Sequence, residues 1–223
     1  FGRGLVETPS DFGLNGSEPS HPGLLDWLAA ELVQSGWSLK HMHRVIMASS
    51  VYQQSSGNGD SPSGRLFGAF PRRRLEAELI RDAMLAASGS LNRTMHGQGI
   101  RPRIHSSVIA TSTTRKWPLV RQETAEHWRR SGYVHVRRSV LMPLLESFDA
   151  PPTTESCAAR VTTTVPTQAL QLLNDRFANE QSRRMAESIR AATGKDVVRQ
   201  VESAFWRTLS RPPEAAELRE CVE

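Results

Sequence analysis

Apolar residues recur in this chain at helical spacing, in short runs that each stop at a glycine or a proline, and this punctuation constrains the fold more than any other feature. Leu24, Leu25, Leu28 and Leu32 repeat with a period near 3.6 and end before Gly36. Ser20 is the expected N-cap of this helix, and Pro22 sits in its first turn, where a missing N–H costs little. Ser38 restarts a second helix with Leu39, Met42, Val45 and Ile46 on one face, which predicts an αα-hairpin. A third stripe begins after Pro71, runs through Leu75, Leu79, Ile80, Ala83, Met84 and Ala87, and stops at Gly89. Pro143 opens a short helical turn over 144–148. A long helix is expected from Thr164 and Pro166 to Gly194, with Leu170, Leu173, Phe177, Met185 and Ile189 on its apolar side. A further helix carries Val197, Val201, Phe205 and Leu209, and Pro212 and Pro213 separate it from the last one.

The stretches between these runs are long. Residues 1–19 are Gly-rich, 53–65 are polar with Gly and Ser, and 90–118 show no period. Only 133–142 reads as a strand, by its alternation and its β-branched content. The expected fold is mainly α: an irregular helical domain with long ordered loops and at most a small β element near 133–142. We expect a single domain over 1–223, with sub-lobes 1–52 and 66–223 around the 53–65 loop. The chain starts at Phe1 and stops at Glu223 inside a helical pattern, so it reads as a segment of a larger protein.

At 223 residues the chain can bury a core, and its 38% hydrophobic content places it among globular sequences. No apolar run reaches the ~20 residues of a membrane span. Its two cysteines, Cys157 and Cys221, rule out a disulfide framework and a four-cysteine metal site. His41 and His43 are two apart on a helix and point about 200° apart, so they do not share an ion. No H-E-x-x-H, C-x-x-C, G-x-S-x-G, Walker or G-x-G-x-x-G spacing occurs, and without C-x-x-C-H this chain attaches no c-type haem itself. No metal site is expected. On the third helix Glu78 and Asp82 share a face flanked by Arg74 and Arg81, which reads as a solvated ion-pair lattice.

The positive charge is localised. Residues 71–140 hold 14 of the 28 basic side chains and five of the 23 acids, a net +9, and the rest of the chain is −4. Of the 28, 25 are Arg. Arg101, Arg103, Arg115, Lys116, Arg129 and Arg130 are candidates for polyanion binding, because guanidinium forks match sulfates, carboxylates and phosphates. Trp117, Trp128 and Tyr133 lie among them. A nucleic-acid reading requires Trp117 or Trp128 to be free to stack. The competing reading is dispersed surface charge, with Arg stems packed on apolar neighbours.

Three stretches carry a family resemblance: FGRGLVETPSDFGLNGSEPSHPGLLDWLAAELVQSGWSLKHMHRVIMASSVYQQSS, PRRRLEAELIRDAMLAASGSLNRTMHGQG and SFDAPPTTESCAARVTTTVPTQALQLLND. Together they resemble the planctomycete cytochrome-c-associated domain of unknown function that usually lies toward the C-terminus of its proteins. The resemblance implies an exported, extracytoplasmic multidomain protein with haem c in a separate upstream domain and no cofactor in this segment. No catalytic residues are established for the family, so none carry over. The polar residues in its motifs are Arg3, Glu7, Asp11 and His21 in the first, Arg73, Glu76, Arg81 and Asp82 in the second, and Asp149, Cys157 and Gln168 in the third. The stretch 101–132 is individual to this sequence.

Three functions compete on these grounds. The first is a non-catalytic accessory or interaction module, partnered by the cytochrome c-type domain of its own chain. The second is an enzyme, a hydrolase or redox partner acting on complex polysaccharide, with a polar cleft built from Arg3, Glu7, Asp11, His21, Arg73, Glu76, Asp82, Asp149 and Cys157. The third is binding of polysaccharide or another polyanion through 71–140, with nucleic acid the less favoured form.

Overall fold

The computed structural model describes residues 1–57, 66–110, 117–138 and 140–222. The protein is mainly α, and the chain divides into two compact units, Phe1–Arg74 and Leu75–Glu223.

The first unit holds the helical hairpin α1 (Pro22–Gln34) and α2 (Leu39–Ala48). Gly36 turns the chain at φ +68, a conformation that glycine adopts without steric cost. Ser38 caps α2 by accepting from the His41 N–H. The cap of α1 is His21 rather than Ser20, and it offers no side-chain bond; the Pro22 ring sets the helix start instead. Of α1 and α2, only Met42 is buried. Strands β1 (Ser56–Gly57) and β2 (Phe70–Pro71) pair in parallel, Ser56 opposite Phe70. Of the polar 53–65 stretch, residues 58–65 lie outside the described ones.

The second unit contains α3 (Ala77–Ala87), α4 (Ser106–Ala110), α5 (Pro143–Ser147), α6 (Pro166–Asn174), α7 (Arg176–Thr193), α8 (Val197–Leu209) and α9 (Ala215–Val222). Its core gathers Ala77 and Leu85 of α3, Ile100, Ile104, Trp117 and Val134 from the loops, Leu144, Leu145 and Phe148 around α5, and Phe177 of α7.

Four readings of local structure are corrected here. α3 starts at Ala77 and buries Ala77, Arg81 and Leu85, while Leu75 and Leu79 are half exposed. The buried face carries Arg81 inward, where the carbonyls of His127 and Arg129 accept from its guanidinium. The long helix is two, divided at Asp175, whose extended backbone (φ −64, ψ 132) ends α6 and whose carboxylate accepts from the N–H groups of Phe177 and Ala178 to start α7. The irregular 90–118 stretch includes the short α4. Near 133–142 the β content consists of isolated bridges, Ile100 to Val134 and Arg137 to Val140. Tyr133 closes a 3-10 turn, Ser131–Tyr133, so β-branched composition meets no neighbouring strand there.

Candidate functional site

The motif acids of the second unit each find a partner inside that unit. Arg81 on α3 is fully buried. It donates to the carbonyls of His127 (2.7 Å) and Arg129 (3.0 Å) and to the Ser131 hydroxyl (3.2 Å), and its guanidinium lies over the Phe177 ring. Burial lowers its pKa, opposed by the charges of Glu123 and Asp82. Asp82 accepts from both the N–H and the hydroxyl of Ser131, each at 2.7 Å. The third motif closes on itself in a similar way. Asp149, at φ +60, accepts from the Thr163 N–H (2.8 Å) and hydroxyl (2.9 Å). Buried Gln168 donates to the Ser147 carbonyl and to Thr163.

Glu76 and Cys157 meet around a residue that the motif reading passed over, Arg160. Arg160 donates to both oxygens of Glu78 (2.7 and 3.1 Å) and stands 3.3 Å from Glu76. Burial alone would raise the Glu78 pKa, but the Arg160 hydrogen bonds and charge outweigh it and hold it below the usual carboxylate value. Of the expected lattice of Glu78, Asp82, Arg74 and Arg81, the Arg81–Asp82 pair is kept at 3.8 Å but is buried rather than solvated on the arginine side, Glu78 pairs with Arg160, and Asp82 also accepts from Ser131. Cys157 is exposed and free, its thiol directed at the Ala159 carbonyl. Arg160 is its charged neighbour, and among the described residues no histidine is hydrogen-bonded to its sulfur.

In the first unit, Asp11 organises the Gly-rich loop. Its carboxylate accepts from the Gly13 N–H at 2.8 Å, the Thr8 hydroxyl donates to the Asp11 carbonyl, and the Ser17 N–H donates to Thr8. His21 stacks on Phe67, which belongs to a ring cluster with Phe1, Tyr52 and Phe70. Glu7 and Arg3 are exposed, and the exposed Arg73 lies against Gly2.

The basic candidates divide by role. Arg129 is buried and donates to the carbonyls of Thr94, His96 and Gln98, stacking over Tyr133 at 3.9 Å. Arg103 pairs with Glu180 at 2.6 Å. Arg101 and Arg130 are exposed. Arg115 and Lys116 lie outside the described residues. Trp117 is buried with its indole N–H on the Pro102 carbonyl, and Trp128 donates to Glu123 while Arg184 covers its face at 4.3 Å. Neither ring is free to stack on a base. Among the described residues, no three His, Cys, Asp or Glu gather as metal ligands, and no helix is long and apolar enough to cross a membrane.

Sequence reasoning missed a cavity of about 670 Å³ in the second unit, walled by α5, the α6–α7 junction and the 103–108 and 119–123 segments. A smaller one of about 320 Å³ adjoins it through Arg103, Arg121, Glu123 and Arg176. Its arginines are far apart in sequence, so no local motif signals it.

A family model described as PSD1, protein of unknown function (DUF1553), matches residues 1–223. No curated protein and no solved structure matches the chain.

Proposed function

The chain belongs to the PSD1 family, described as proteins of unknown function, over its whole length, and from that premise we propose a non-catalytic accessory or interaction module of an exported, cytochrome-c-linked multidomain protein. The observation that carries this reading is the way the motif acids of the second unit are used. Asp82 is held by Ser131, Asp149 by Thr163, and Glu76 and Glu78 by Arg160. A general acid or base must present its carboxyl to a substrate within hydrogen-bond reach. These carboxyls instead tie the α3 segment and the 149–168 segment into their surroundings. The haem domain, the export and the cytochrome partner belong to the proposal through the family resemblance.

The test compares the full-length protein with a form lacking this chain. Cross-linking with mass spectrometry reads contacts to the cytochrome-type domain, and polysaccharide columns read retention. The expected result is cross-links from this chain to the haem domain, or retention that disappears with it. Unchanged profiles in both, or release of reducing sugar ends that depends on this chain, would overturn the proposal.

A further inference from the structure

The larger cavity of the second unit has two chemically different ends. Its floor is apolar: Ile104, Met142, Leu144 and Phe177 are buried, and Val108 and the exposed Leu119 stand over them. Its other end carries Arg103, Arg121 and Arg176, and the adjoining smaller cavity adds Arg184. At about 670 Å³ it falls within the roughly 300–1,000 Å³ of small-molecule sites, which combine an apolar lining with a few placed polar groups.

The electrostatics leave cation to spare at that end. Arg103 (2.6 Å) and Arg176 (2.9 Å) share one carboxylate, Glu180. Burial alone would raise the Glu180 pKa, but hydrogen bonds from Arg176 and Arg103 and their charges hold it below the usual value, so it stays ionised and fixes both guanidiniums in place. Glu123 is buried and turned to the Arg103 N–H (2.7 Å) and the Trp128 indole (3.0 Å). Asp175 is committed to the start of α7. Among the described residues, the Arg121 guanidinium has no carboxylate or hydrogen-bond partner. A solvent-facing guanidinium fork with no protein partner, beside an apolar floor, is complementary to an anion whose remaining body is apolar.

We propose that this cavity is a binding site for an organic anion with an apolar body: the head group on Arg121, flanked by Arg103 and Arg176, and the body on Val108, Leu119, Met142 and Phe177. A highly hydrated polyanion is the poorer fit, because it would lay polar groups on the apolar floor without hydrogen-bond partners. This proposal does not rest on the accessory role, and its failure would leave that role standing.

Titration of the whole 223-residue chain with 2-naphthoate, followed by methyl NMR, tests it. A ligand of about 13 heavy atoms at ordinary ligand efficiency gives a Kd of ~1 mM. The expected shifts are at the methyls of Val108, Leu119, Met142 and Leu144. The neutral analogue 2-naphthalenemethanol should bind about tenfold more weakly, and Arg121→Gln should remove that preference while leaving the neutral compound unaffected. Arg121 is exposed, so this variant keeps the fold. Four outcomes would overturn the proposal: no saturation, equal binding of acid and alcohol, shifts confined to α8, or a heparin fragment or inorganic sulfate that binds at Arg121 more tightly than naphthoate.

Discussion

Replacing Arg81 by methionine is the sharpest test of whether the family motifs are structural. The side chain is fully buried and makes three hydrogen bonds, two of them to main-chain carbonyls of the 127–131 segment. Methionine fills comparable space, removes the charge and leaves the carbonyls of His127 and Arg129 without this donor. Each orphaned buried acceptor costs about 1–3 kcal/mol. Against this, the variant no longer buries a guanidinium whose Nε has no partner. Ser131 keeps Asp82 as its acceptor, so its loss is small. The balance is a destabilisation of about 3 kcal/mol, equivalent to a fall in Tm of roughly 6–12 °C for a unit of this size. Urea unfolding followed by far-ultraviolet circular dichroism measures it. Arg81→Lys keeps the charge without the fork and should lose about 2 kcal/mol. A methionine variant as stable as the parent, or more stable, would refute the reasoning, because burial of the charge would then outweigh the carbonyl contacts.

Asp149 stands at φ +60, where Asn is tolerated and Ala is strained, and it accepts two bonds from Thr163. Asp149→Asn should therefore cost about 1 kcal/mol and Asp149→Ala about 3 kcal/mol in the same urea assay. Asp175→Ala removes the cap that starts α7 and should cost about 1 kcal/mol, with faster amide exchange in the first turn of that helix. Glu78 and Glu180 both titrate below the ordinary value of 4.5 in the folded chain. A depressed folded pKa adds stability that is complete above the unfolded value and lost as pH falls through the folded one. Tm should thus hold from pH 7 to about 5 and fall below about 4.5, with a shallower fall in Glu180→Gln. Glu217, held at about 2 by the Arg211 hydrogen bonds and the Glu214 N–H, should show that midpoint in a carboxyl NMR titration.

Local signals were legible wherever the cause was local. Pro22, Ser38, Pro143 and Gly36 punctuate helices through their own backbone preferences, and the structure places them at those ends. The break at Asp175 was hidden because its apolar neighbours keep the helical period on both sides, Leu170 and Leu173 before it and Phe177 after it. The strand signal at 133–142 reported composition alone, and a strand also needs a partner, which Ile100 supplies only as a bridge. At the candidate site, the motif acids were visible as acids, but their partners Ser131, Thr163 and Arg160 are ordinary residues 14 to 84 positions away. No spacing rule reaches them.

The arginine-rich middle of the chain follows from the same physics. Long irregular segments leave main-chain carbonyls with no helix or sheet ladder to satisfy them, and each one buried without a donor is costly. A guanidinium offers five donors in a fixed fork, so one side chain can collect several such carbonyls. Arg81 takes two from the 127–131 segment, and Arg129 takes those of Thr94, His96 and Gln98. Lysine, a point donor on a flexible stem, would serve these clusters less well, which fits the ratio of 25 Arg to 3 Lys. The net charge of this region therefore overstates what it offers to an outside anion: Arg81, Arg103 and Arg129 are committed within the fold. Arg101, Arg121 and Arg130 stay exposed, and of these Arg121 lines the apolar cavity; a loss of anion preference confined to Arg121→Gln, with Arg101→Gln silent, would separate a built site from diffuse charge.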